Sequence, residues 1–285
     1  RNEGSVENYG IEATLGQDII KTKDLDWTAT ANFSLNRGRV KSLPDQIVQI
    51  DGTNYGGIYP TAFLGGSSTG ITGKDYLRNE NGDVICDENG YPLIDTSKQL
   101  YIGNREPDFL LGLGSNFRYK ELTASFLFDG RCGGDVVNIT GSSLISNGQH
   151  HLYDKYRNRE VVFNGVVKNA DGTYSPNTTP IILDQTTVNK YFYPVSSNFI
   201  EDGSYIRLSY VTVGYDMSKL LSKNSPVKGL NVSLTGRNLF LLTKYSGSDP
   251  QVQESGSANG SGTGGFDRYN VPNTRSFNLS LKATF

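Results

Sequence analysis

Methionine and tryptophan occur once each, and histidine and cysteine twice, against 33 glycines and 17 tyrosines in 285 residues. Long Ala/Leu/Glu/Lys stretches are missing, which argues against a helical bundle and points to an all-β class. A chain of this length could bury a large core or hold two domains, but the composition does not favour an ordinary core. No apolar run approaches the roughly 18 residues a membrane helix needs, and mean hydropathy is −0.43. Neither fact bears on a membrane barrel, whose hydrophobicity is diluted by alternation. A formal charge of −2 predicts no nucleic-acid partner. Cys86 and Cys132 lie far apart and lack a Cys-x-x-Cys spacing, so both are expected to be small, chemically silent residues. The first eight residues show no charged stretch followed by an apolar one. Either the protein is cytoplasmic or its front lies outside this sequence.

What is present is period two. In the last twelve residues, Phe277, Leu279, Leu281, Ala283 and Phe285 alternate with Ser276, Asn278, Ser280, Lys282 and Thr284. That spacing puts one apolar and one polar face on a strand. Upstream, Tyr9, Ile11, Ala13 and Leu15 form one half of a hairpin, and Trp27, Ala29, Ala31, Phe33 and Leu35 form the other, across the turn at Lys21–Asp24. A second pair runs from Phe109 to Tyr119 and from Leu122 to Phe128. Ile206, Leu208 and Tyr210 then give way to Val211, Val213 and Tyr215, a parity shift that predicts a β-bulge. Leu230, Val232, Leu234, Phe240 and Leu242 mark a sixth strand, and the terminal segment a seventh.

The connections run short, long, short, long, moderate, long. Pro44–Pro107 has Asn81-Gly82 and Asn89-Gly90 bracketing Val84-Ile85-Cys86, which predicts a small hairpin inside a long loop. Arg131–Gly203 carries Asp171-Gly172 as an internal turn. A Gly/Ser-rich stretch, Ser255–Gly265, precedes the last strand. Consecutive antiparallel strands alternate direction, so all three long connections share one end. Outer-membrane barrels show this asymmetry, with short periplasmic turns and long outer loops. By that reading the first strand descends and Phe285 ends at the periplasm. The expected wall has Trp27, Phe33, Phe117, Phe126, Leu234 and Leu281 outward, and Thr30, Asn116, Ser125 and Lys282 inward.

Four ordered motifs carry a resemblance. They are Tyr101-Ile102-Gly103-Asn104-Arg105-Glu106-Pro107-Asp108-Phe109, Asp202-Gly203-Ser204-Tyr205-Ile206-Arg207-Leu208, Gly236-Arg237-Asn238-Leu239-Phe240, and Thr243-Lys244-Tyr245-Ser246-Gly247-Ser248-Asp249-Pro250. With Asn8-Tyr9-Gly10-Ile11-Glu12 in front, the chain resembles the C-terminal third of SusC/RagA-type TonB-dependent outer-membrane transporters. The resemblance implies a segment of a plugged barrel of about 22 strands, placed in the cell outer membrane. It also implies a SusD-like surface lipoprotein as lid, TonB engaged through N-terminal parts absent here, and a glycan or peptide substrate. Residues 1–285 are then one C-terminal barrel portion of about seven strands with long extracellular loops. An open set of membrane strands leaves unpaired edges that lipid cannot satisfy, so it is expected to be one piece of a larger barrel. Phe285, as a terminal aromatic, is expected to act as an assembly signal.

Other chemistry is thin. Gly260-Ser-Gly262-Thr-Gly264-Gly265 matches Gly-x-Gly-x-x-Gly without a strand before it or a helix after it, so it predicts no nucleotide site. His150 and His151 are adjacent in a polar loop and are expected to diverge into solvent rather than bind zinc. Asp83 and Asp87 suit Asx turns, with weak calcium binding as the alternative. No serine nucleophile is expected in a Gly-x-Ser-x-Gly turn and no cofactor is implied, so no enzyme is expected. The candidate substrate-binding residues are loop tyrosines, Tyr55, Tyr59, Tyr76, Tyr153, Tyr191 and Tyr193, each offering an apolar face and a polar tip. The competing reading is a soluble extracellular β-sandwich that binds carbohydrate, which would bury the apolar faces between two sheets.

Overall fold

The computed structural model describes residues 4–45, 47–49, 56–151, 153–222, 224–251 and 264–285. Seven strands form one antiparallel sheet in sequence order: Ser5–Lys21, Leu25–Ser42, Phe109–Tyr119, Leu122–Cys132, Tyr205–Asp216, Gly229–Thr243 and Ser276–Thr284. We number them as wall strands one to seven. At 9 to 18 residues each, all reach the roughly 9–11 residues that cross a bilayer as a tilted strand.

The register turns the sequence alternation into two faces. One row crosses all seven strands as Ile20, Trp27, Phe117, Ala124, Val213, Leu234 and Leu279. The row above it crosses as Asp18, Thr28, Asn116, Ser125, Thr212, Thr235 and Asn278. Opposed residues in an antiparallel pair share a face, so the first row is wholly apolar and the second wholly polar. The polar face is stitched across strands: Thr28 donates to Asp18, Thr14 to Asn32, and Thr212 and Thr235 share a hydroxyl bond of 2.9 Å. Arg118 pairs with Asp26 at 3.6 Å. The apolar face packs against nothing comparable: Leu234, Leu279 and Leu281 are 52%, 73% and 66% exposed. In water each would forgo about 1.5–3 kcal/mol of burial.

The predicted bulge is present, one step earlier than the sequence parity suggests. Leu208 opposes Phe128 and Tyr210 opposes Leu127, leaving Ser209 as the extra residue. Tyr210 therefore lies on the polar face with Arg207, not beside Leu208. On the sixth strand the same irregularity spans Asn238 and Leu239 between Arg237 and Phe240. Asn238 takes φ of +52° there, a left-handed conformation that asparagine tolerates better than most side chains.

The three long connections are not open loops. They fold into four small sheets and short helices stacked at one end of the wall. Residues Tyr59–Phe63, Gly70–Gly73 and Leu100–Asn104 pair within the first connection, with Ile47–Gln49 at the edge. Val166–Lys168 of the second connection pairs in parallel with Ile85–Cys86 of the first. Asp135–Asn138 of the second pairs in parallel with Phe266–Asp267 of the third. The expected turns close as glycine turns, with φ of +89° at Gly82, +85° at Gly90 and +85° at Gly172. The layer has its own core: Ile58, Ile71, Val137 and Phe266 are buried together, with Ile102, Ile139 and Ile200 against them. Each of the three connections contributes to it.

Candidate ligand-facing loop layer

The layer is fastened to the wall at its base through three of the four motif segments, 101–109, 202–208 and 243–250. Glu106 accepts the Gly38 N–H at 2.6 Å through Oε1, and Arg37 donates to the carbonyls of Pro107 and Asp108. These bonds tie the first connection to the second wall strand. Asn104 accepts from Thr69 and from the Glu106 N–H, while its own N–H goes to Asp135 Oδ2 at 2.7 Å. Thr243 Oγ1 donates to the Ser204 carbonyl and receives the Tyr245 N–H. Arg207 and Asp249 form an ion pair at 2.6 Å with both side chains 5% exposed.

Above this base, two carboxylates hold the second and third connections together. Glu201 accepts from Asn138 Nδ2 through Oε1, and from the Ser246 hydroxyl and N–H. Asp267, buried at 2% exposure, accepts the Tyr245 hydroxyl at 2.6 Å and Thr140 Oγ1 at 3.1 Å. Burial and the Asp267 carboxylate push the Tyr245 phenol well above its ordinary range, so it remains a donor. Glu201 and Asp267 lie outside recognisable turn or strand patterns, and nothing local in the sequence marks them.

The candidate tyrosines separate into different environments. Tyr55 lies outside the described residues, and Tyr153 opens the short helix Tyr153–Tyr156. Tyr59 begins a strand and is half-buried. Tyr76 is buried, its hydroxyl taking the Asn198 Nδ2–H at 2.8 Å and its ring 5.4 Å from Phe163. Burial pushes its phenol up to about 12. Tyr191 stacks on Tyr91 at 4.4 Å, joining the first and second connections, with Lys190 Nζ 5.0 Å from its ring. Tyr193 is 40% exposed and lines a cavity of about 160 Å³ with Ser143, Arg268 and Tyr269. Of the described Tyr59, Tyr76, Tyr191 and Tyr193, only Tyr193 lines this cavity.

A larger apolar cavity, about 370 Å³, opens between Tyr156, Val162, Phe163, Ile181, Val188 and Phe192 of the second connection. A polar cavity of about 410 Å³ lies at the layer's base, beside Arg207. The sequence alternation gave no sign of either cavity.

The histidine expectation needs correcting. His150 is buried at 7% exposure and its ring lies 4.5 Å from that of His151, so the pair does not diverge into solvent. Burial, then the neighbouring His151, lowers the His150 pKa. Asp87 accepts the N–H groups of Asn89 and Tyr91, the bonding of an Asx turn, whereas at the other hairpin end the Asx turn is made by Asn79, which accepts the Asn81 N–H, and Asp83 only receives the Asn79 amide. Among the described residues no cluster of three or more His, Cys, Asp or Glu could hold a metal ion. Cys86 and Cys132 are free. The Gly-rich motif lies largely outside the described residues.

A long antiparallel sheet, apolar on one face and polar on the other with all its bulk at one end, is part of a large transmembrane β-barrel. The relatives agree. No family model matches the chain. It is 26% identical to TonB-dependent receptor P3 of Formosa agariphila, over 100% of this chain and 29% of that protein. It is 25% identical to TonB-dependent receptor SusC of Bacteroides thetaiotaomicron, over 100% of this chain and 27% of that protein. Among solved structures, the RagAB peptide transporter matches with a TM-score of 0.65 at 20% identity, covering 100% of this chain and 30% of that one. The RagAB importer in its open-open state matches with a TM-score of 0.66 at 19% identity, covering 99% and 29%. The resemblance to the C-terminal barrel portion of SusC/RagA-type TonB-dependent transporters is borne out. The chain spans about three-tenths of the length of the curated relatives it matches.

Proposed function

We propose that residues 1–285 serve as the C-terminal wall and outer vestibule of a TonB-dependent transporter that imports nutrients across the cell outer membrane. The observation that carries this reading is the uncovered apolar face: no second sheet packs on Leu234, Phe126 or Leu281 among the described residues. A soluble sandwich would have to cover that face, and lipid is the solvent that suits it. The wall strands pair only with their sequence neighbours, strands one and seven having a single partner each. Such edges call for further strands to complete a barrel.

In this reading the short turns near residues 22–24, 120–121 and 217–228 face the periplasm and the loop layer faces outward. Substrate, a glycan oligosaccharide or an oligopeptide, enters from the layer's side. The exposed tyrosines, Tyr193 foremost, offer stacking faces, and Tyr55, Tyr59, Tyr153 and Tyr191 share that role with Tyr76 as packing support. A SusD-like lipoprotein covers the layer from outside. TonB acts through other parts of the protein, and the segment itself is a conduit without catalysis. Deleting the gene and measuring cellular uptake of fluorescent oligosaccharides and oligopeptides tests the proposal. Loss of uptake of one class, restored by the full-length gene, supports it, and unchanged uptake of both refutes it.

A further inference from the structure

Arg207 sits on the polar face of the fifth wall strand, just below the loop layer. Its Nη2 donates to Asp249 Oδ1 at 2.6 Å. Asp249 is otherwise filled by the Gln251 N–H at 2.9 Å and Asn273 Nδ2 at 2.8 Å. Arg207 Nε is buried and has no hydrogen-bond partner. The guanidinium lies 5.4 Å from the Tyr205 ring, but stacking cannot satisfy an N–H that lies in the guanidinium plane. An orphaned buried donor calls for an explanation, and an absent ligand is one that native structures supply.

The surroundings say what that ligand must be. Arg207 lines the 410 Å³ cavity with Asp129, Ser209, Asn238, Gln251 and Asn273. That volume is within the usual range for small-ligand sites. The charge of Arg207 is already met by Asp249, while Asp129, opposite Arg207 in the strand register, leaves the cavity negative on balance. The amide nitrogens of Asn238, Gln251 and Asn273 each give one of their two N–H groups, to Thr274, Tyr205 and Asp249. Their oxygens remain as acceptors. The cavity therefore offers one charged donor, weaker neutral donors from the amides and Ser209, and several acceptors, the mixed lining that suits hydroxyl groups.

We propose that this cavity is a subsite for an uncharged, hydroxyl-rich group, a neutral sugar ring, and that it selects against sulfated or carboxylated sugars. One ring oxygen or hydroxyl accepts from Arg207 Nε, and adjacent hydroxyls donate to Asp129 and the amide oxygens. A peptide amide brings a single N–H per unit and fills the acceptors poorly. An anion would suit Arg207 but meet Asp129. The inference rests on the uptake reading above and gives it a substrate class.

The test uses the full-length protein in detergent, titrated calorimetrically with neutral oligosaccharides such as maltoheptaose and fructan oligomers. Sulfated and uronate-bearing oligosaccharides and neutral oligopeptides are titrated in parallel. At least one neutral oligosaccharide should bind. Arg207→Lys keeps the charge opposite Asp249 but deletes the Nε donor, and should weaken that binding by about tenfold or more. Asp129→Asn, which preserves shape, should raise the affinity for sulfated relative to neutral sugars. Heat-modifiable gel mobility confirms that both variants fold. Failure of every neutral oligosaccharide to bind, preference of the native protein for anionic sugars or peptides, or affinities within twofold in both variants overturns the subsite. So does a full-length structure in which another protein group accepts from Arg207 Nε. Uptake that depends on the gene but is indifferent to both variants refutes the subsite while leaving the transport reading intact.

Discussion

The wall and the loop layer solve the same problem, hiding apolar surface from water, with different solvents. In the wall, Leu234, Leu279 and Phe277 point away from the protein and are 52%, 73% and 66% exposed. In the layer, Ile71, Val137 and Phe266 are fully buried against one another. The wall's apolar face is left for a lipid solvent to cover in the proposed reading, whereas the layer is held by a small core assembled from three distant connections. The wall tolerates change on its polar face and resists charge on its apolar one. The layer fails as a unit when its centre is removed.

The largest expected effect follows from that unit. Phe266→Ala empties the centre of the layer core and should cost about 3–5 kcal/mol. Limited proteolysis of the full-length protein should then cleave within the three connections while the wall stays heat-resistant. Equal protection of native and variant layers would show that the core does not hold them.

A smaller effect separates the two faces of the wall. Leu234→Arg puts a charge on the apolar face, at a cost of about 2–4 kcal/mol near mid-membrane. Thr235→Arg, the next residue on the same strand, should be nearly silent. Outer-membrane levels of the two variants, measured side by side, sharpen the contrast, and similar levels would break it.

The smallest effect is a pH dependence confined to the layer. Burial, opposed in part by the Asn104 N–H and reinforced by Asp202, holds the Asp135 carboxyl above its ordinary value. A carboxyl whose folded pKa is raised binds more protons in the native state, so its contribution to stability falls as pH rises from the ordinary carboxylate range through the raised value. Melting of the loop layer should lose part of that slope in Asp135→Asn. An unchanged slope would place the titration elsewhere.

The wall was legible from sequence because its physics is local. Alternation such as Phe277 to Phe285 needs only period two, and the register then follows from short turns such as residues 22–24. Even so, parity places the bulge one residue late, since Tyr210 continues the alternation of Ile206 and Leu208 in sequence while facing the polar side in the structure. The layer was opaque because its contacts are remote. Thr140 and Asp267 are 127 residues apart, and Asn138 and Ser246 are 108 apart. The tyrosines illustrate the same limit. Composition selects Tyr76 and Tyr193 alike, yet one is buried under Asn198 and the other is 40% exposed. His150, likewise, was polar by neighbourhood and buried by tertiary contact.

The central claim is that the chain has one membrane-crossing wall with its loop layer on the cell surface. Epitope insertion in intact cells tests it most directly, with one tag beside Asn89 in the first connection and another in the turn at residues 222–226. The account predicts antibody labelling at Asn89 on unpermeabilised cells, and labelling of the turn only after the outer membrane is opened. Labelling of the turn on intact cells with none at Asn89 would contradict it.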